Sequence, residues 1–402
     1  MYGIILEGGG ARGAYQVGVW KALRKLGIDY CGVAGTSVGA LNGAMMVQGD
    51  FDQALDVWSD ITPSKIVSID DELYEKIKNM EISADITSDI LQYIKSIFHN
   101  RGMDTTPLHN LLCQCLDETK IRQAGIEFGI ITISLSDLTP LKLFLQDIPQ
   151  GKLIDYLLAS ASLPVFQRQR IGNKSFLDGG VYDNLPISLL AQKGFQKIIA
   201  VRLVQKGIKK SEKEKGLSIT LIKPCENLGS MFDFTRERAQ TNIELGYYDT
   251  LKVFKRFHGI RYCVDVNRDE EYFLKLLLQM NQTKLEGLRQ ELGAPDGMPH
   301  RRFILERLVP LLVELLPVTQ CVSYGELTVA LLERAADKVG IERFTVHSYD
   351  SFEQEVVKAH QPEGRNVNLP AVLKGSELLL RAKKEPLLDD IADALIGGIK
   401  QG

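Results

Sequence analysis

The chain has 402 residues, 45% of them hydrophobic and 25% charged, with a formal net charge of -3. This is the composition of a globular protein, long enough for one large core and a smaller second unit. The weak negative charge argues against a dedicated nucleic-acid binder, and no uncharged apolar run of about 18 residues is present to cross a bilayer.

Residues 2–7 read as a buried strand without a basic leader, so the mature chain is expected to begin at Met1 with no signal peptide. A helix is expected from Gly13 to Leu26, a second strand from Gly32 to Gly35, and a helix from Val38 to Val47. Residues 63–125 are expected to form a helical cap insertion over the sheet, with Ile90, Tyr93, Ile94 and Ile97 on one face. Within it a helix begins near Thr106-Pro107 and carries Cys113 and Cys115, which are expected to be plainly buried rather than metal ligands. Ile126–Leu135, Leu141–Leu145, Lys197–Val204 and Ser218–Ile222 read as further strands, and Lys206–Lys215 as a solvated loop. Strands interleaved with helices imply an α/β fold, a mainly parallel sheet flanked by helices.

After Arg268 helices dominate, so a catalytic part over 1–265 and a helical region over 266–402 are expected. Ser323 and Glu326 form a capping-box pattern ahead of an apolar series that Gly340 stops. Ile304, Leu308, Leu311, Leu312 and Leu315 make a second apolar face. Leu388, Ile391, Ala392, Leu395 and Ile399 make a third, which is expected to dock on a core rather than a membrane because its polar side is acidic. The six cysteines follow no framework spacing, which points to reduced thiols and a cytoplasmic location.

Two glycine-rich segments carry the chemistry. Gly35-Thr36-Ser37-Val38-Gly39 follows the second strand with glycines two residues either side of a serine, the pattern of a sharp strand-to-helix turn that exposes a nucleophilic hydroxyl. Gly8-Gly9-Gly10-Ala11-Arg12-Gly13 follows the first strand, and its backbone N–H groups suit an oxyanion loop. Gly9 and Gly10 are the leading donors, with the Val38 amide also available; Gly8 and Gly13 complete the loop, and Arg12 orients it or meets a substrate phosphate. The same Gly8-x-Gly10-x-x-Gly13 spacing fits a dinucleotide cradle, although the acid such a site needs after the second strand is replaced by Thr36 and Ser37. None of the six histidines sits in a glycine-flanked turn after a convincing strand. Asp178, followed by Gly179 and Gly180, does.

In that order, these three motifs resemble the patatin-like phospholipase family, and the blocks Ala159–Phe166 and Val181–Pro186 are similar to the family's flanks of the aspartate. The similarity covers roughly residues 1–260. It implies the family's three-layer fold and a Ser-Asp dyad with Ser37 as nucleophile and Asp178 as base. An oxyanion hole from the glycine loop is implied as well, with no metal and no nucleotide cofactor. The implied substrate is a lipid ester, a phospholipid or lysophospholipid met at a membrane or micelle surface, with Leu163, Pro164 and Phe166 walling an acyl pocket. A nucleotide-binding enzyme and a non-catalytic lipid-binding module are the alternatives, and protein partners are not implied.

Overall fold

The computed structural model describes residues 1–68, 74, 103–135, 139–162, 166, 169–172, 174–205, 216–316, 323–361 and 384–401. The chain divides into two units, Met1–Thr250 and Leu251–Gly402. Most of the expected cap, including Ile90, Tyr93, Ile94 and Ile97, and all of the expected loop at 206–215 lie outside the described residues.

In the first unit, β1 (Tyr2–Leu6) leads through a short 3-10 turn at Gly10–Gly13 into α1 (Ala14–Lys25), and β2 (Tyr30–Thr36) leads into α2 (Val38–Gln48). Next come α3 (Phe51–Ser59), α4 (Thr106–Cys115), α5 (Glu118–Gln123), β3 (Glu127–Ser134) and β4 (Thr139–Phe144). Then follow α6 (Leu153–Ser160), β5 (Arg170–Ile171), β6 (Lys174–Asp178), α7 (Ile187–Gln192), β7 (Lys197–Val201), β8 (Ser218–Ile222) and α8 (Arg236–Lys255). β8–β7–β1–β2–β3 run parallel, as buried β-branched strands with crossover helices do. β4 and β6 pair antiparallel to β3.

Side chains alternate across the strands, so one sheet face packs Ile5, Ala34, Ile131 and Ile198 with Leu189 and Leu190 of α7. On the other face α2 lies so close that a side chain at Gly43 would press on Val33 and Phe128. The sheet is therefore covered by helices on both sides, as expected.

β3 has only two edges, and their use sets the site. β4 occupies one edge from Gly129 to Ser134. On the other, β2 pairs as far as Thr36 opposite Ile131, and β6 takes over at once with Asp178 opposite Thr132. Two strands running in opposite directions thus meet end to end, which brings the start of α2 and the turn after Asp178 together although 141 positions separate Ser37 from Asp178 (178 minus 37).

The second unit is mainly helical, built on a core that includes Phe273, Leu277, Leu312, Leu331, Leu388 and Leu395. Residues 251–265, grouped with the first part on sequence alone, fall here because Cys263–Asp265 pairs in parallel with Val346–Ser348. Ser323 and Glu326 cap the helix Tyr324–Val339 reciprocally, and Gly340 ends it at φ 72. The helix Lys384–Ile399 buries Leu388, Ile391, Ala392 and Leu395 in that core. Glu333, buried in the same unit, accepts N–H bonds from Ile260, Arg261 and Tyr262 at 2.8, 3.0 and 2.6 Å. Among the described residues no helix is long and apolar enough to cross a membrane.

The cysteine expectation needs correction. Cys115 is buried, but Cys113 is exposed, beside His109 at 3.8 Å. Two positions apart on a helix point to opposite sides, so the two thiols of α4 cannot share one face.

In the first unit α1 and α8 cross at a pair of glycines: a Cβ at Gly18 would collide with the Ile243 carbonyl, and one at Gly246 with the Tyr15 carbonyl. Gly18→Ala is expected to lower stability by about 1–3 kcal/mol through overpacking. Gly287→Ala, on an exposed helical position with nothing within 4 Å, is expected to raise it by about 0.5–1 kcal/mol. Chemical denaturation of the two variants measures both signs.

Candidate active site

Ser37 sits between β2 and α2 with φ 54 and ψ -127, and Arg256 is the other described non-glycine residue with positive φ. Such backbone costs about 1–3 kcal/mol and persists only when its surroundings fix it. They do so sterically. A side chain at Gly35 would strike the Gly39 backbone, and one at Gly39 the Leu6 carbonyl at the end of β1. The turn is also pinned by polar contacts: the Ser37 N–H donates to Ser160 Oγ at 3.0 Å, and that hydroxyl donates to the Ile131 carbonyl at 2.6 Å.

Asp178 ends β6, 3% exposed. Its Oδ1 accepts the Gly180 N–H at 2.6 Å, while its Oδ2 is buried without a hydrogen-bond partner of normal geometry among the described residues. Burial pushes the carboxyl up to about 6, against the smaller opposing pull of the Ser37 side chain and of the Gly180 N–H. Ser37 is the side chain whose influence opposes that rise, and both residues are buried. A raised carboxyl is a stronger proton acceptor than a free one, whose value is near 3.9.

The loop after β1 is stapled to the same turn. The Gly8 N–H donates to the Asn184 carbonyl at 3.2 Å, Asn184 Nδ2 returns a bond to the Gly8 carbonyl at 3.1 Å, and Thr36 Oγ1 donates to the Asp183 carbonyl at 2.9 Å. The Gly8 amide is therefore committed; what Gly8 supplies is the missing side chain, since a Cβ there would meet Asn184 and Ser37. The Gly9, Gly10 and Val38 amides make no hydrogen bond to described residues. Gly10 has φ 56, open to glycine, and a side chain there would strike the Met231 carbonyl. Gly13 lets α1 pack against Val38 and Trp58. Arg12 Nε donates to the Gly229 carbonyl at 2.8 Å, so this side chain ties the loop to the 229–231 segment, where the Met231 carbonyl also accepts the Ala11 N–H.

An apolar pocket spanning about 630 Å³, part of it open to solvent, is lined by Ser37 and Gly10 and by residues of α2, α3 and α4, with Phe166 and Phe234 beside them. Of the three residues expected to wall it, Phe166 does, while Leu163 and Pro164 lie outside the described residues. Asn42 and Trp58 are polar members of the wall with their hydrogen bonds already made: Asn42 Nδ2 donates to Gln16 Oε1 and to the Gly13 carbonyl, and its Oδ1 accepts from Trp58 Nε1 at 2.9 Å. Away from Ser37 and the free Gly10 and Val38 amides, the side chains of the described lining therefore present nothing that a hydrocarbon chain would leave unsatisfied.

Residues 4–191 match the family described as Patatin-like phospholipase. Over these residues the chain is similar to a patatin-like phospholipase domain. The chain is similar to lysophospholipase nte1 of Aspergillus terreus, 28% identical over 212 residues, which cover 50% of this chain and 12% of that protein. It is also similar to the Patatin-like phospholipase domain-containing protein 7 of Rattus norvegicus, 26% identical over 207 residues, which cover 49% and 13%. The chain thus spans about one eighth of the length of these relatives. Among solved structures, VipD from Legionella pneumophila superposes with a TM-score of 0.40 at 14% identity, covering 99% of this chain and 91% of that one.

Sequence reasoning gave the patatin-like domain no role for Ser160, Asn184, Asn42 or Trp58. Ser160 and Asn184 lie inside the flanking blocks, which was the available signal; Asn42 and Trp58 carried none, because each needs the fold to find its partner. His109, the described histidine of this unit, sits with Cys113 on an exposed face. Because Ser37→Ala and Ser37→Gly both delete the hydroxyl, their difference isolates the backbone term. Ser37→Gly is expected to be the more stable variant by about 1–3 kcal/mol, read from paired urea melts; equal stabilities would mean that the turn is unstrained.

Proposed function

We propose that the protein is a serine acyl hydrolase that cleaves fatty-acyl esters of phospholipids or lysophospholipids through Ser37 and Asp178. The placement of Ser37 supports this most: a strained, buried residue beside a buried carboxyl of raised basicity, in the lining of an apolar pocket. Ser37 Oγ attacks the ester carbonyl as Asp178 takes its proton. The tetrahedral oxyanion is held by the Gly9, Gly10 and Val38 amides, the last on the first turn of α2 where the helix dipole favours negative charge. Asp178 then returns the proton to the leaving alcohol, and water hydrolyses the acyl-enzyme by the same steps reversed. The residues in this scheme need neither a metal nor a nucleotide. The relatives include a lysophospholipase by name, which agrees with a lipid ester as substrate. The enzyme would meet that substrate at a membrane or micelle surface. Free described cysteines suit a reducing compartment such as the cytoplasm.

A fluorophosphonate ester should label Ser37 and nothing else, and Ser37→Ala and Asp178→Asn should each lose at least ~10³ of ester turnover with the fold retained. Peptide mapping that finds the adduct elsewhere, or full turnover in either variant, removes the assignment. The pH dependence follows from the carboxyl, which must be ionised to accept the proton. kcat/KM is expected to rise through a midpoint at about 6 and to fall about tenfold per pH unit below it. The same raised value means that the folded protein binds this proton more tightly than the unfolded chain, so Asp178 costs stability as pH rises from about 4 through about 6. Asp178→Asn should therefore melt higher than the parent at pH 8 while being inactive.

A further inference from the structure

We infer that α2 is a ruler for a single acyl chain and that Met45 sets the longest chain the pocket accepts fully; this rests on the acyl-hydrolase reading of Ser37. The pocket lining follows one face of α2, from Ser37 and Val38 through Leu41 and Asn42 to Met45. α4 runs beside it in the same sense. Thr105, just before α4, accepts from Gln169 Nε2 at 3.2 Å, and Met103 bridges to Phe166 of the pocket wall. At the other end of α4 the Cys115 carbonyl accepts from Gln48 Nε2 at 2.9 Å. Lining residues on α4 end at Leu112, one turn before Cys115, as those on α2 end at Met45, one turn before Gln48.

One turn beyond the last lining residues of α2 and α4 lies a polar knot. Gln48 Nε2 also donates to Asp50 Oδ2 at 2.8 Å, and Gln48 Oε1 accepts the Asp117 N–H at 2.6 Å. A terminal methyl group reaching that point would have to displace hydrogen bonds from partly buried groups, a cost no hydrocarbon repays. Met45, 6% exposed, is the last apolar side chain before the knot, and its flexible thioether is easily cut back or exchanged for a ring.

The geometry gives a length. Eight residues from Ser37 to Met45 at ~1.5 Å rise make about 12 Å. With C–C bonds of about 1.5 Å that each advance an extended chain by roughly 1.25 Å, this is on the order of ten carbons. Within the pocket each added methylene should improve kcat/KM about fourfold, the equivalent of its burial. Beyond the floor the gain should stop.

The test uses saturated p-nitrophenyl esters of graded length with the parent, Met45→Ala and Met45→Phe, together with binding of the matching fatty acids to Ser37→Ala in each background. The expected result is a break in the length profile near ten carbons, moved to longer chains in Met45→Ala and to shorter ones in Met45→Phe. Unchanged breaks in turnover and in binding would overturn the ruler. If no ester is hydrolysed but fatty-acid binding shifts with Met45, the hydrolase reading fails while the ruler stands. A Met45→Ala protein that melts early leaves Met45→Phe to decide, because shortening the pocket needs no cavity.

Discussion

The first unit depends on a single constraint, the shared edge of β3. A strand edge can hold only one partner at each register position, so β2 must stop where β6 begins. At that junction a strand that ends in a helix meets a strand that ends in a turn. The hydrogen-bond ladder of the core thereby sets the distance between Ser37 and Asp178, without reliance on a mobile loop. Asn184, Thr36 and Ser160 then tie the neighbouring backbone to the same point. A groove built on a sheet holds its geometry better than one built on connections alone.

This rigidity bears on a chemical difficulty. A carboxylate in water is a weak base for an alcohol, and the usual remedy is an imidazole. Here the environment supplies part of the missing basicity, because burial raises Asp178 and only one of its oxygens is relieved by a hydrogen bond. In the proposed mechanism the remaining barrier would fall to preorganised amides, where loss of a single donor typically costs ~10²–10³ in rate. In the proposed mechanism the amides of Gly9, Gly10 and Val38 would therefore matter as much as the two side chains.

Local features were the ones legible in the sequence. The strand before Gly8, the strand running into Ser37, the strand Ser218–Ile222 and the reciprocal cap of Ser323 with Glu326 each carry their signal within a few residues, and each stands where expected. The sheet of mainly parallel strands was legible for the same reason, as alternation of short apolar runs with helices. Long-range facts were not. Gly8, expected only to complete the oxyanion loop, has its amide bonded to Asn184, a residue 176 positions away. Cys113 and Cys115 are equivalent in spacing but not in facing, so one is exposed and the other buried. The pocket wall of α3 and α4 has no motif at all, since hydrophobic side chains lining a cavity read the same as those filling a core.

Trp58 gives the molecule a further property. The chain has two tryptophans; Trp20 is buried edge-on against Phe51, away from the lining, while Trp58 forms part of the pocket wall with its N–H held by Asn42. An indole fixed in orientation, whose outer face borders either solvent or hydrocarbon, is a built-in optical gauge of occupancy. The protein thus carries its own fluorophore where a lipid tail would lie, and no dye need be attached to watch the cavity fill and empty.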